Sequence, residues 1–244
     1  MWRSSSSCFG HDAEMDTCMN CTKKRNSLFD ELSYDELAIL NKRKHVVHYK
    51  AGETIYKEGT KPPNLLCLNR GKVKITQRGV NGTEHIVALK KPVDFIGFRA
   101  LMGDYNNVTS AVALEEAVIC IIDKRDFFQV IHNNSQLAFK IIRSFAHELN
   151  AVDLRLVNLT QKHIRARLAD ALLWVQEIYG VDPDNGALNV ALKRADIAAL
   201  ANMTTANAIR ILASFAKEGL VEVNLRSIIL KKPKALQEIS LFGR

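Results

Sequence analysis

The chain has 244 residues, 47% hydrophobic and 25% charged, an ordinary balance for a globular protein and enough length for two domains. A formal charge of +8 and a pI near 9.3 favour an anionic partner, nucleic acid before membrane, because no run approaches the 18 apolar residues of a spanning helix. Five cysteines, an odd number in a reducing compartment, argue against a disulfide framework and leave thiol or metal chemistry open.

Residues 1–27 form a polar tail carrying Cys8, His11, Cys18 and Cys21. The opening run MWRSSSSCFGHDAEMD lacks the apolar core of a signal peptide, which predicts a protein that stays where it is made, in the cytoplasm. From Ser33 a short helix (DELAIL) leads into His45–Ile122, an all-β region of short runs punctuated by glycines. Within it the pair Asn81-Gly82 predicts a hairpin whose tight turn has positive φ at both residues. Strands at this spacing suggest a barrel or sandwich.

After Asn133, Asn134 and Ser135 the period changes, and apolar residues recur at Ala138, Ile142, Phe145, Leu149, Val152, Leu156 and Leu159. Steps alternating between three and four predict a helix seam made for another helix, which makes residues 133–160 a dimerisation helix. A helix lying on its own β domain would need a similar stripe. A further helix over His163–Tyr179 stops at Gly180.

The most telling segment is RADIAALANMTTANAIRILASF, from Arg194 to Phe215. Ile197, Leu200 and Ala201 form one stripe, and Ala208, Ile211, Leu212 and Phe215 another, so two amphipathic helices are expected. Asn202 tolerates the left-handed backbone of the break, and Thr204 is suited to cap the second helix. Leu220–Leu230 then alternates as a hairpin turning at Asn224–Arg226, which makes the unit a winged helix rather than a plain helical hairpin. From Lys193 to Lys234 there are 8 Lys and Arg against 3 Asp and Glu, a net of +5. A phosphate-facing surface explains that concentration, and a solvated basic face would also produce it. Thr204, Thr205, Asn207, Ile209 and Arg210 are the candidate base or phosphate contacts, with Lys193, Lys217 and Arg226 as flanking phosphate contacts. Ile209 is read either as a contact to a thymine methyl or as an extension of the buried stripe.

The order of these parts, with KAGETIYKEGT, RGKVKI, DFIGF and ALEEAVICIID in the β region, resembles the family of the cyclic-AMP receptor protein and the fumarate and nitrate reduction regulator (Crp/Fnr) over roughly residues 28–240. The resemblance implies an α+β chain: an N-terminal cyclic-nucleotide-binding-type β-roll over 28–132, the dimerisation helix over 133–160, and a C-terminal winged helix-turn-helix over 161–244. It also implies a homodimeric transcription regulator on double-stranded DNA, with RNA polymerase as a further partner. Family members that bind cyclic nucleotide carry a Gly-Glu pair and a later Arg-Ser or Arg-Thr pair; here Gly97 precedes Phe98, and Asn106–Ser110 has no arginine. A buried phosphate would lack its cation, so cyclic AMP is not expected.

The oxygen-sensing branch of the family holds an iron-sulfur cluster with three tail cysteines and one on the β-roll. By that resemblance Cys18, Cys21 and Cys120 are candidate ligands, with Cys8 or His11 completing a cluster or a zinc site. Alternatively Cys120 is a small core residue, as Cys67 is expected to be. The family's recognition helix pairs a Glu with its Arg; Ala206 replaces that Glu, which removes one base contact and the partner that would orient Arg210. An enzyme is not supported, because His45, His48, His132, His147 and His163 lie in no catalytic motif. The competing class is a β-roll regulatory module acting through protein contacts.

Overall fold

A computed structural model describes residues 27–243. The first helix, α1 (Tyr34–Asn41), begins where the Ser33 hydroxyl accepts from the Glu36 amide and Glu36 accepts from the Ser33 amide, a reciprocal cap. Eight strands follow: β1 (His45–Tyr49), β2 (Thr54–Tyr56), β3 (Asn64–Arg70), β4 (Val73–Arg78), β5 (Glu84–Lys90), β6 (Phe95–Ile96), β7 (Ser110–Ala113) and β8 (Ala117–Asp123). They form two antiparallel sheets, ordered β1-β8-β3-β6 and β2-β7-β4-β5. The inward residues Leu68, Val73, Ile75, Ile96, Ala111, Ala113, Ala117 and Ile119 fill the space between the sheets. Gly71 sits at the β3–β4 turn with φ +93, where a Cβ would lie 2.4 Å from the Glu116 carbonyl oxygen, so only glycine fits.

Two expectations for this region are corrected. The interval 45–122 is not purely β, because α2 (Phe98–Met102) is inserted after β6. The β4–β5 hairpin exists, but its loop runs from Gly79 to Thr83, closed by Gly79 N–H to Thr83 C=O at 2.9 Å, and only Gly82 (φ +73) takes positive φ. The extra residues let Asn81 keep an ordinary backbone.

The outer face of the first sheet is covered by α1, α2 and two further helices. Sequence reading missed α3 (Lys124–Asn133), which Asp123 caps through the Arg125 amide. The long helix α4 (Ser135–Gln161) starts at Asn134, whose side-chain oxygen accepts from the Leu137 amide. Phe29, Phe95, Phe98 and Phe127 interlock beneath these helices in tilted and edge-on contacts, with centroids 5.1–6.5 Å apart.

The C-terminal unit comprises α5 (Ile164–Tyr179), α6 (Arg194–Leu200), α7 (Thr205–Lys217), β9 (Val221–Asn224), β10 (Ser227–Leu230) and α8 (Pro233–Phe242). The last helix was also missed, although Pro233 at its first turn and buried Leu236 and Ile239 are a start signal and a stripe. The core of this unit takes in Ile86 and Leu89 of β5, so the β-roll hairpin packs directly into it.

Candidate nucleic-acid interface

Helix α6 is held at both ends. At its start the Asp196 carboxylate accepts from the Lys193 amide at 3.1 Å, and after it Asn202 turns the chain with φ +49. Arg167 of α5 donates to the Asn202 carbonyl at 2.8 Å, which fixes the turn from behind. Thr204 then caps α7, its hydroxyl accepting from the Asn207 amide at 3.3 Å. Ala208, Ile211, Leu212 and Phe215 bury the inner face of α7, as the spacing required.

The outer face is therefore presented to solvent. Thr204, Thr205, Ala206, Ile209 and Arg210 are exposed, and Asn207 is half-buried beside them. Ile209 is 49% exposed and stands off the buried stripe, which decides between its two readings in favour of an outward residue. Arg210 is not left without an orienting partner by Ala206: its Nη2 donates to Asn207 Oδ1 at 3.0 Å, one turn earlier on the same face. Lys217 lies at the opposite end of α7, about 18 Å along the axis from Thr205 at 1.5 Å per residue. Lys193 stands at the start of α6, and Arg226 in the hairpin turn.

That turn is the wing tip. Asn224 pairs with Ser227, so Leu225 and Arg226 alone connect the strands, and Leu225 takes φ +50 while its side chain points into water. A branched residue in this conformation is costly. Arg194, at the first position of α6, compensates by donating to the Leu225 carbonyl at 2.7 Å and so ties wing to helix pair. Sequence reading counted Arg194 only as charge, because a contact 31 residues away leaves no local signal.

The charge balance of the segment is more one-sided than its sum suggests. Each of its three carboxylates is already paired: Asp196 with Lys74 of β4 at 2.8 Å, Glu222 with Lys231 at 2.6 Å, and Glu218 with Arg165 of α5. The Arg165 contact, helped by Ser214, holds the Glu218 carboxyl below the usual glutamate range. Lys193, Lys217, Arg226, Lys232 and Lys234 have no carboxylate partner among the described residues. An exposed helix face of small and polar groups, in a segment whose unpaired charges are all cations, is suited to a polyanion with readable edges.

The seam residues of α4 divide. Ile142, Leu149 and Leu156 are 61%, 63% and 60% exposed, and Val152 is exposed with them. Leu159 is half-buried, and Phe145 turns inward to stack on Phe98 at 5.2 Å, 21° between planes. Phe145 therefore serves its own β-roll, a correction to its place in the seam.

Cys8, Cys18 and Cys21 lie outside the described residues, as does His11. Cys120 is 7% exposed in the middle of the first sheet, with Val46 and Cys67 as its cross-strand partners. Cys67 is half-buried rather than fully enclosed. Among the described residues no group of three or more His, Cys, Asp and Glu side chains is placed to hold a metal. In the stretch where a cyclic phosphate would need its cation, Asn107 donates to the Thr60 carbonyl at 2.9 Å and Thr109 meets the Tyr56 hydroxyl at 3.0 Å. Both are buried and committed to their own chain. Among the described residues no helix is long and apolar enough to cross a membrane.

A β-roll, a long helix with an exposed apolar stripe, and a winged helix with an unpaired basic face define the two-domain class of winged-helix transcription regulators. Residues 46–134 match the model of the cyclic nucleotide-binding domain, and residues 166–239 match that of the Crp-like helix-turn-helix domain. The chain is 24% identical over 214 residues to the CRP-like cAMP-activated global transcriptional regulator of Mycobacterium tuberculosis, covering 87% of this chain and 95% of that one. It is 27% identical over 195 residues to the cyclic AMP receptor protein of Thermus thermophilus, covering 80% and 87%. The structure of FixK2 from Bradyrhizobium japonicum shares the fold with a TM-score of 0.70 at 21% identity, over 80% of this chain and 96% of that one. The chain belongs to the Crp/Fnr family of transcription regulators, whose members here are regulators and not enzymes.

Proposed function

We propose that the protein acts in the cytoplasm as a homodimeric, sequence-specific regulator. Two copies of α7 would enter successive major grooves of double-stranded DNA, and the β-roll would respond to a signal other than cyclic nucleotide. The observation that carries the reading is the outward face of α7, where Thr205, Asn207, Ile209 and Arg210 lie on one helix in a segment whose Lys193, Lys217 and Arg226 have no carboxylate partner among the described residues. Arg210 is the candidate guanine reader, Ile209 the candidate contact to a thymine methyl, and Thr204, Thr205 and Asn207 bond base edges or phosphates. Lys193, Lys217 and Arg226 position the domain on the backbone without reading sequence. The exposed Ile142, Leu149, Val152 and Leu156 supply the dimer seam, with Leu159 at its end. RNA polymerase is the proposed further partner of the DNA-bound dimer.

Selection of bound sites from random duplexes tests this. The expected outcome is a two-fold symmetric consensus, bound with an affinity that falls steeply with salt. Absent or salt-insensitive binding would favour a regulatory module working through protein contacts. A cluster or zinc ion on Cys8, Cys18, Cys21 and Cys120 is proposed as a second sensor chemistry, supported by the CxxC spacing of the tail. Iron, sulfide and zinc assays on anaerobically prepared protein decide it, and finding none of the three removes it.

A further inference from the structure

We infer that Cys67 and Cys120 form a dithiol site on the β-roll, which a peroxide oxidises to a reversible cross-strand disulfide.

The register places Cys67 of β3 directly opposite Cys120 of β8, and both sulfurs are thiols. Side chains alternate along a strand, so the residues two positions away tell which face the pair occupies. Leu65 and Ile122 both belong to the core under α1, α2, α3 and α4, and Cys67 packs against that core as well. The two thiols therefore stand on the same, helix-covered face of the first sheet. One row of that face reads Val46, Cys120, Cys67 and Phe95 across β1, β8, β3 and β6.

The backbone decides which kind of pair this is. The Leu68 amide donates to the Asp94 carbonyl at 2.9 Å, and the Leu68 carbonyl accepts from the Val93 amide at 2.8 Å, both on the β6 side. Successive residues turn their amide and carbonyl to opposite edges of a strand, so those of Cys67 face β8. Cys67 and Cys120 are then a hydrogen-bonded pair, with Cα atoms about 5.5 Å apart. A disulfide accepts Cα separations of about 4.4–6.8 Å, so the strands already stand at bridging distance. Its Cβ atoms must come within about 3.5–4.5 Å, whereas those of facing residues lie about 4.5–5.5 Å apart and farther in hydrogen-bonded pairs than in the other kind. Closing that gap strains the bond and makes it easy to reduce, as a reversible bond must be and a structural one is not.

Exposure assigns the order of events. Cys67 is half-buried and Cys120 only 7% exposed, so Cys67 meets the oxidant and Cys120 resolves it. The Cys67 thiolate attacks one oxygen of hydrogen peroxide; an S–O bond forms, the O–O bond breaks and hydroxide leaves. The Cys120 sulfur then attacks the resulting sulfenic acid, the S–S bond forms, the S–O bond breaks, and the departing hydroxyl takes the Cys120 proton as water. Two sulfurs give up two electrons together, and one peroxide is reduced to two waters. Drawing β3 towards β8 would pull on Phe95, whose ring meets Phe98, which in turn stacks on Phe145 of α4.

Cys120 is also a candidate ligand of the proposed cluster, so the test uses the full chain with Cys8, Cys18 and Cys21 all replaced by Ser, in which that tail-ligated cluster is not assembled. After peroxide treatment and alkylation, the tryptic peptides spanning residues 58–70 and 100–124 should appear joined and lighter by two hydrogens, in a chain that runs as a monomer on a non-reducing gel. Reduced glutathione should separate them again. Cys120→Ser in the same background should stop at a Cys67 sulfenic acid, captured by dimedone, and Cys67→Ser should leave Cys120 a thiol. Peptides that never join, whether the thiols stay intact or Cys67 is driven to sulfinic acid, overturn the inference. So does a bond that links two chains, or one that glutathione does not open. Metal assays on the unsubstituted chain are scored separately: a cluster that survives them leaves the dithiol result standing, and loss of the cluster does not supply it.

Discussion

The Asn207–Arg210 pair sets a quantitative test of the reading face. In the free protein the 3.0 Å bond between surface side chains three residues apart, one half-buried and one exposed, stabilises α7 by only about 0.2–0.5 kcal/mol, so removing it should leave folding intact. On DNA its value changes. A guanidinium that reads guanine through a bidentate fork contributes roughly 1–3 kcal/mol at one base pair, and an unrestrained Arg loses up to about 2 kcal/mol of rotamer freedom in doing so. Asn207 fixes one end of the fork in advance, which should recover about 0.5–1.5 kcal/mol, the net worth of one such bond. Arg210→Ala is therefore expected to cost about 1–3 kcal/mol at a single position of the selected site, and Asn207→Ala about 0.5–1.5 kcal/mol at the same position. The double variant should be within about 0.5 kcal/mol of Arg210→Ala alone, because the two act as one unit. Fluorescence anisotropy on the selected duplex and its single-base variants measures all four corners of the cycle. Additive losses would refute the orienting role, and equal weakening by Arg210→Ala on every sequence would make Arg210 a phosphate anchor.

Replacing Leu149 and Leu156 together by Glu should yield monomers by light scattering, since each exposed leucine offers about 1.5–3 kcal/mol on burial and the charge forfeits it; an unchanged dimer would move the seam elsewhere. Leu225→Gly relieves a left-handed branched residue and is expected to raise unfolding stability by up to about 1 kcal/mol, read by chemical denaturation. Arg155→Ala removes donors to the Ile86 and Leu200 carbonyls (3.1 and 3.0 Å) and a stack over Trp174 at 3.7 Å; a loss of about 1–3 kcal/mol is expected, visible as faster hydrogen exchange in both α6 and β5. Burial alone would lower the Lys74 ammonium, but its bonds to Asp196 and Glu84 outweigh that and hold it above the lysine value of 10.5. The folded state thus retains this proton better than the unfolded chain. Its stabilisation is complete below pH 10.5 and fades as pH rises through the raised value, so proteolysis between the domains should increase there in the native chain and show no such step in Lys74→Met.

What was legible in the sequence was local. Asn202 and Thr204 announce the turn because the chemistry they supply acts within three residues, and the stripes of α6 and α7 follow from period alone. The helix α3 was hidden because its apolar core, FFQVI, is rich in residues that also suit a strand, and only the cap at Asp123 tips the balance. Phe145 shows a deeper limit. Its place in a seven-residue repeat is the same whether it faces a second chain or Phe98 of its own, and only the packing of α2 tells which. Arg167, Arg194 and Arg155 were missed for a related reason: each donates to a carbonyl 31 to 69 residues away, and a lone arginine on a helix is indistinguishable from a solvated one until that carbonyl is placed.

Those long-range contacts constrain how a signal in the β-roll can act. The winged helix is attached to more than the α4–α5 connection, since it also holds Ile86 and Leu89 in its core, Lys74 on Asp196, and the Tyr179 hydroxyl within reach of the Val73 and Lys90 carbonyls. Burying the two β5 side chains alone contributes about 3–6 kcal/mol. A ligand that prefers an undocked arrangement by tenfold supplies only about 1.4 kcal/mol, which leaves the docked state dominant. A ligand of that preference therefore acts with the contact intact. A shift of β5 or α4 that carries the docked winged helix along, and so would alter the spacing of the two recognition helices in the proposed dimer, meets that condition at far smaller cost than release.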